Sequence, residues 1–171
     1  MAYHTKLLKS TAENIEYAAE LIGAGEVVGM PTETVYGLAA DAFNAEAVAK
    51  IFKAKERPAD NPLIVHISDL SMIESIASEL PALALRCAKA FWPGPLTMIL
   101  PKTPDIPNVT SGGLDTVGVR MPSHPTARAL IEAAGVPLAA ASANLSGSPS
   151  PTQAQHVMND MSGRIPAIIC L

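Results

Sequence analysis

No apolar run among the 171 residues is long enough to cross a bilayer, and the opening MAYHTKLLKS lacks a hydrophobic stretch followed by a cleavage site. Neither membrane insertion nor secretion is expected, which leaves a soluble cytoplasmic protein. Cysteine is scarce: Cys87 and Cys170 lie far apart without a metal-ligand spacing, so a disulfide framework is excluded and two reduced structural thiols are predicted. Histidine is scarce too. His66 has no second histidine at ligand spacing, while His4, His124 and His156 read as terminal, loop and helix-surface residues, so no protein-built metal site is assigned. Positive charge is also short, with 12 Lys and Arg against 16 Asp and Glu. A net charge of -4 opposes a surface that grips a phosphate backbone throughout, and any RNA contact must be local. Three motifs are missing as well: G-x-x-x-x-G-K-[ST], G-x-G-x-x-G and G-x-S-x-G. A nucleotide, if used, needs an unusual cradle.

The hydrophobic fraction of 49% suffices for one substantial core and one domain. Helical spacing of Ile15, Ala18, Ala19 and Ile22 predicts a helix over 12–22, capped by Ser10 or Thr11. A second follows Asn44, with Val48, Ile51 and Phe52 on one face and Lys53, Lys55 and Arg57 at its end. Further helices are expected over 69–79, 81–91, 125–134 and 153–161. Short apolar runs at 26–30, 62–67, 96–100, 116–121, 137–141 and 167–171 suit strands covered on both faces. The alternation predicts an α/β domain with a mixed sheet, and the stretches 101–115 and 142–152 read as loops that serve function.

Four polar clusters fall at predicted strand ends, where an open α/β sheet gathers ligand groups. Pro31-Thr32-Glu33-Thr34-Val35-Tyr36-Gly37-Leu38 offers hydroxyls and backbone donors, or is an ordinary turn. Lys55-Glu56-Arg57-Pro58-Ala59-Asp60-Asn61-Pro62 carries two cations that suit a polyphosphate, or that merely complement a helix dipole. His66 can hold a small polar substrate or be a satisfied core residue. Arg120, at the end of Asp115–Met121, can bind a carboxylate through two prongs or make a surface salt bridge. The run from Ala140 to Thr152 is rich in small hydroxyl residues that let a backbone approach phosphate or ribose, or is a solvated loop.

Five separated motifs, in order, carry a resemblance. They are Pro31 to Leu38, Lys55-x-Arg57-Pro58, Pro62 to Ile67, Trp92-Pro93-Gly94-Pro95-Leu96-Thr97 and Ser142-Ala143-Asn144-x-Ser146-Gly147. Together they resemble the YrdC family of threonylcarbamoyl-adenylate synthases over about residues 10 to 171. The resemblance implies an α/β fold, a YrdC-like twisted mixed sheet with flanking helices around a deep, positively lined central cavity. It implies synthesis of threonylcarbamoyl-AMP and pyrophosphate from L-threonine, bicarbonate and ATP, the first step of a tRNA threonylcarbamoyladenosine modification. Matching positions assign threonine to Thr32, Thr34, His66, Arg120 and Ala140, and ATP to Arg57, Asn61, Thr116, Ser142, Asn144 and Ser150. Lys55 and Arg57 are the expected catalytic cations, and Mg²⁺ is expected chiefly on phosphate oxygens and water.

That chemistry requires positioning and charge neutralisation rather than a covalent nucleophile. Downstream threonylcarbamoyl-transferase proteins and tRNA itself are the partners the resemblance implies. Family members continue past 167–171, so residues 1–171 are expected to be a single domain lacking its C-terminal end. Two other readings predict different behaviour. An RNA-binding module, including one for double-stranded RNA, predicts strongly salt-dependent binding without turnover. A carbamoyl-transfer domain normally accompanies zinc-finger-like cysteine pairs, which this sequence lacks.

Overall fold

The computed structural model describes residues 2–171. Its chain order is β1 (Lys6–Lys9), α1 (Ala12–Gly23), β2 (Val28–Met30), β3 (Gly37–Asp41), α2 (Ala45–Lys55), β4 (Ile64–His66), a 3₁₀ helix (Leu70–Ser75), α3 (Ala82–Phe91), β5 (Met98–Pro101), α4 (Asn108–Ser111), β6 (Thr116–Arg120), α5 (Pro125–Ala134), β7 (Leu138–Ser142), α6 (Ala154–Met161) and β8 (Ala167–Cys170). The eight strands form one mixed sheet in the order β1-β8-β2-β3-β7-β4-β6-β5.

Local chemistry explains most boundaries. Thr11, rather than Ser10, caps α1 by accepting from the Asn14 N–H, and Asn44 caps α2 by accepting from Glu46 and Ala47. Pro125 occupies the first turn of α5, where its missing N–H costs nothing, and the His124 ring accepts from Thr126. His124 is therefore a cap rather than a free loop residue.

The expected helix over 69–79 is instead a single 3₁₀ stretch. Ile73 and Ile76 are spaced by three, which suits 3₁₀ geometry as well as α, and Asp69 caps the turn at Ser71. No strand is expected over 37–41, since Gly37-Leu38-Ala39-Ala40 has little intrinsic β preference; burial between β2 and β7 makes it β3. β1 is a polar edge strand with no apolar alternation to reveal it. The stretch 101–115 is not a plain loop: it contains α4, whose Thr110 and Ser111 are fully buried. Gly112 ends α4 at φ +63, and a Cβ there would stand 2.9 Å from the Asp60 carbonyl oxygen, so the position demands glycine on two counts.

Strand register divides the sheet into two faces, since successive side chains alternate. Leu38, Ala40, Val65, Val117, Val119, Ala139 and Ile168 enter a core shared with α2 and α6. On the other face α1 and α5 cover Val28, Met30, Ala39, Leu138 and Ile169. Gly118 and Arg120 of β6 pair with Ile64 and His66 of β4 on that second face, toward the edge strand β5, where Ile99 is exposed. The site lies at this border.

Candidate functional site

The loop after β2 turns back through its own hydroxyls. Thr32 Oγ1 donates to the Val35 carbonyl at 2.6 Å and accepts from the Thr34 N–H at 3.3 Å. With its proton so committed, Thr32 can only accept from the Thr34 hydroxyl 3.1 Å away. Thr34 Oγ1 in turn accepts from Arg120 Nη2 at 3.1 Å. The turn is thus ordered from within and presents its polar edge to β6.

His66 and Arg120 stand opposite each other on the parallel pair β4 and β6. The His66 ring is buried, with Nδ1 3.0 Å from the Ile64 carbonyl oxygen. A proton assigned to Nδ1 leaves Nε2 as an acceptor. Burial, reinforced by the neighbouring Arg120 cation, pushes its pKa down to about 4. The unfolded ring, with a pKa near 6.5, takes up a proton first as pH falls, so stability is lost between about pH 6.5 and 4. Chemical denaturation at pH 5 is expected to read about 2 kcal/mol less stability than at pH 7. His66→Gln should abolish most of that difference; an unchanged slope in the variant would mean the ring is not held neutral.

Arg120 is only 8% exposed. Nη2 meets Glu33 Oε1 at 2.5 Å, while Nε is buried and has no acceptor. The other Glu33 oxygen accepts from the backbone N–H groups of Ser123 (3.1 Å) and His124 (3.3 Å) at the start of α5. Burial alone raises the Glu33 carboxyl, but the Arg120 pair and the N–H donors outweigh it, and its pKa is lowered overall. The arginine is therefore not a surface salt bridge but a buried one with an unused donor.

The third component starts at the end of α2. Glu56 adopts φ 52, and the bonds Glu56 N–H to Lys53 O and Arg57 N–H to Phe52 O form a Schellman turn without its usual glycine. The turn sends Lys55 inward and Arg57 outward. Lys55 is 2% exposed, and its ammonium donates to the carbonyls of Ser142 and, at 2.7 Å, Asn144. Ser146 N–H returns a bond to the Lys55 carbonyl at 3.0 Å. Burial, with the nearby Arg57 charge, lowers the Lys55 pKa to about 8. Arg57 stays partly exposed, its guanidinium 5.8 Å from the Phe52 ring centre. The Asn144 amide donates to Leu145 and Ser148 carbonyls, and its Oδ1 is buried without a donor.

These parts enclose a cleft of about 230 Å³ lined by Thr32, Thr34, His66, Arg120, Ala140 and Ser142, together with Gly37 and Ile64. The predicted threonine residues therefore converge, joined by Ser142. Among the described residues Arg120 is the one charged residue lining this cleft, because Lys55 turns its charge into the loop backbone behind it. Ser150 lies in a separate cavity of about 340 Å³ with Ser148, His156 and Asp160. Asn61 is exposed, and Thr116 is half-buried on the Arg120 face of β6, about 13 Å away along the strand. Neither they nor Arg57 line the cleft. A further cavity of about 340 Å³, lined by Tyr3, Glu26, Lys50 and Arg164 among others, holds none of the expected site residues.

Sequence reasoning assigned no role to Glu33. Its partner is 87 residues away, and only the fold brings the two together. The Trp92–Thr97 motif is structural: Trp92 Nε1 donates to Leu96 O at 2.7 Å, and Gly94 N–H donates to Met121 O at 2.8 Å, next to Arg120.

A family model, Sua5_yciO_yrdC, described as "Telomere recombination", matches residues 20–170. A threonylcarbamoyl-AMP synthase of Bacillus subtilis is 54% identical over 167 residues, covering 96% of this chain and 48% of the relative. One of Pyrococcus abyssi is 56% identical over 155 residues, covering 91% and 46%. The crystal structure of P. abyssi Sua5 complexed with L-threonine superposes with a TM-score of 0.95 at 51% identity, over 97% of this chain and 50% of that one. The chain thus spans about half the length of these relatives.

Proposed function

Since the chain belongs to the Sua5/YciO/YrdC family, we propose that it carries out the synthase chemistry for which its relatives are named, making threonylcarbamoyl-AMP and pyrophosphate from L-threonine, bicarbonate and ATP. The observation that carries this reading is the buried Arg120 Nε, an unused charged donor on a small cleft lined by hydroxyls and a neutral histidine. A buried polar atom without a partner is costly, and a ligand carboxylate relieves the cost. His66 Nε2 and the threonine hydroxyls then receive the ammonium or hydroxyl of a small amino acid. The relative bound to L-threonine supports threonine as that amino acid.

The reaction needs a neutral threonine amine to attack carbon dioxide, with loss of a proton, or bicarbonate, with loss of water, forming an N-carboxylate. One oxygen of that carboxylate attacks the α-phosphorus of ATP; the bond to the bridging oxygen breaks and pyrophosphate leaves. The chain contributes orientation and charge. Arg120 holds the amino-acid carboxylate away from the reacting end. The Ser142–Ser150 loop, pinned by Lys55, supplies backbone donors and hydroxyls to the nucleotide, with Arg57 at its solvent side and Asn61 and Thr116 further out.

Magnesium fits as a companion of the triphosphate. Among the described residues no group of three His, Cys, Asp or Glu could hold a metal, but Asn144 Oδ1, a neutral oxygen without a donor, would suit an ion whose other ligands are phosphate and water. Bound there, it would neutralise phosphate charge. Transfer of the product to tRNA by a downstream partner, and a cytoplasmic location, belong to the same proposal; among the described residues no helix is long and apolar enough to cross a membrane.

Pyrophosphate release from ATP, with and without L-threonine and bicarbonate, tests the function. Release that requires both, and that falls about 10- to 100-fold in Arg57→Ala, is expected. Threonine-independent release would overturn the reading.

A further inference from the structure

Glu33 carries a role that neither the motif nor the cleft assigns. It does not line the cleft, yet one of its oxygens is spent on Arg120, which does, and the other on two backbone N–H groups that precede α5. Oε1 takes Arg120 Nη2, and Oε2 takes the backbone N–H groups of Ser123 and of His124, the N-cap of the ten-residue helix α5, where partial positive charge favours an anion. The α5 end is itself fixed by Pro125 and the His124 cap. The carboxylate is therefore a rigid bracket between a helix terminus and the guanidinium.

A guanidinium is planar, so fixing Nη2 on one side fixes the direction of Nε. Thr34 Oγ1 holds the same Nη2 from a second direction. What remains on the guanidinium is Nε, buried and without an acceptor, and Nη1, which makes no hydrogen bond among the described residues. We propose that Glu33 is a positioning residue that orients Arg120 so that its free edge is presented to the carboxylate of the amino-acid substrate; this rests on the amino-acid reading of the cleft given above. An alternative use of the same contact, in which Glu33 occupies Arg120 and is displaced by substrate, predicts the opposite sign of effect.

The two readings separate on substitution. Gln at position 33 keeps the shape, but its amide offers one acceptor where donors stand on both sides, so either Arg120 or the α5 N–H groups face another donor. Calorimetric titration of the chain with L-threonine is expected to show affinity about 10- to 100-fold weaker in Glu33→Gln. Glu33→Asp, which keeps both acceptors one methylene short, should fall between. In an Arg120→Lys background, where no planar fork remains to be oriented, adding Glu33→Gln should change affinity by less than about threefold. ATP affinity, measured on each variant, should stay close to that of the parent, whereas melting temperature should fall by a few degrees as the Arg120–Glu33 pair is weakened.

Affinity that is unchanged or tighter in Glu33→Gln overturns the proposal. So does an equal loss in the Arg120→Lys background, which would mark Glu33 as a general support of the loop. Failure of the parent chain to bind L-threonine would instead remove the amino-acid reading itself, and the inference with it.

Discussion

Arg120→Ala is expected to weaken L-threonine binding by about 2–5 kcal/mol, roughly 30-fold to several thousand-fold, with ATP affinity much less affected. The magnitude follows from burial. Arg120 is 8% exposed, its Nε has no partner, and its charge is balanced on one side by Glu33 alone. A carboxylate that completes the other side exchanges an unsatisfied buried donor for a charge-assisted bond, which is worth far more than the same pair in water. Removing the arginine forfeits that bond and also leaves Glu33 facing the cleft, a like charge against the incoming carboxylate. Arg120→Lys should recover only part of the loss, because one ammonium cannot reproduce a planar fork. Stability should fall less than for a fully enclosed pair, since the Glu33 side chain is 21% exposed and can hydrate. Calorimetry decides the matter: threonine binding at parental affinity in Arg120→Ala would show that the cleft does not use its one lining charge.

Lys55→Met is expected to separate activity from stability. The ammonium is buried, and its lowered pKa of about 8 means that charging it in the fold costs about 3 kcal/mol at neutral pH relative to the unfolded chain. The carbonyls of Ser142 and Asn144 receive that charge in the fold. A methionine of similar length removes the buried charge together with its bonds, and should leave stability within about 1–2 kcal/mol. Turnover should nevertheless fall on the order of 100-fold or more, because the Ser142–Ser148 loop loses the tether that fixes its backbone. The parent protein should also gain stability as pH rises from about 8 toward the unfolded value of 10.5, since the unfolded lysine holds its proton longer in that window. The methionine variant should lack this gain. Denaturant midpoints at pH 7.5 and 9.5, alongside pyrophosphate release, test all three statements; unchanged turnover in Lys55→Met would end the view of Lys55 as a tether.

The sequence was most legible where periodicity and caps act locally. α1, α2, α3, α5 and α6 lie within a residue or two of expectation, because their apolar faces and end residues are read within one or two turns. Strands β2, β4, β5, β6, β7 and β8 were found as apolar runs, although their ends shifted. What escaped were elements whose state depends on neighbours. β3, Gly37-Leu38-Ala39-Ala40-Asp41, is mostly Gly and Ala, and becomes a strand because β2 and β7 flank it. β1 has little pattern of its own and is ordered by pairing with β8.

The site divides along the same line. The residue types announced the chemistry: hydroxyls in the Thr32–Thr34 turn, one strand histidine, an arginine closing β6, and two cations beside a Ser- and Gly-rich loop. Parallel pairing of β4 with β6 put His66 beside Arg120, and antiparallel pairing of β3 with β7 put Gly37 beside Ser142. Direction was not readable. Residues 55 and 57 look equivalent in sequence, yet the αL turn at Glu56 buries one under the loop and turns the other toward solvent. Glu33 looks like a surface residue of a turn until the fold sets it against Arg120 and the start of α5. The sequence by itself determined which groups were available, since side-chain chemistry and helical or strand periodicity are local properties. Only the tertiary structure decided which charges meet and which donor is left unpaired, because those depend on contacts between segments some 90 residues apart.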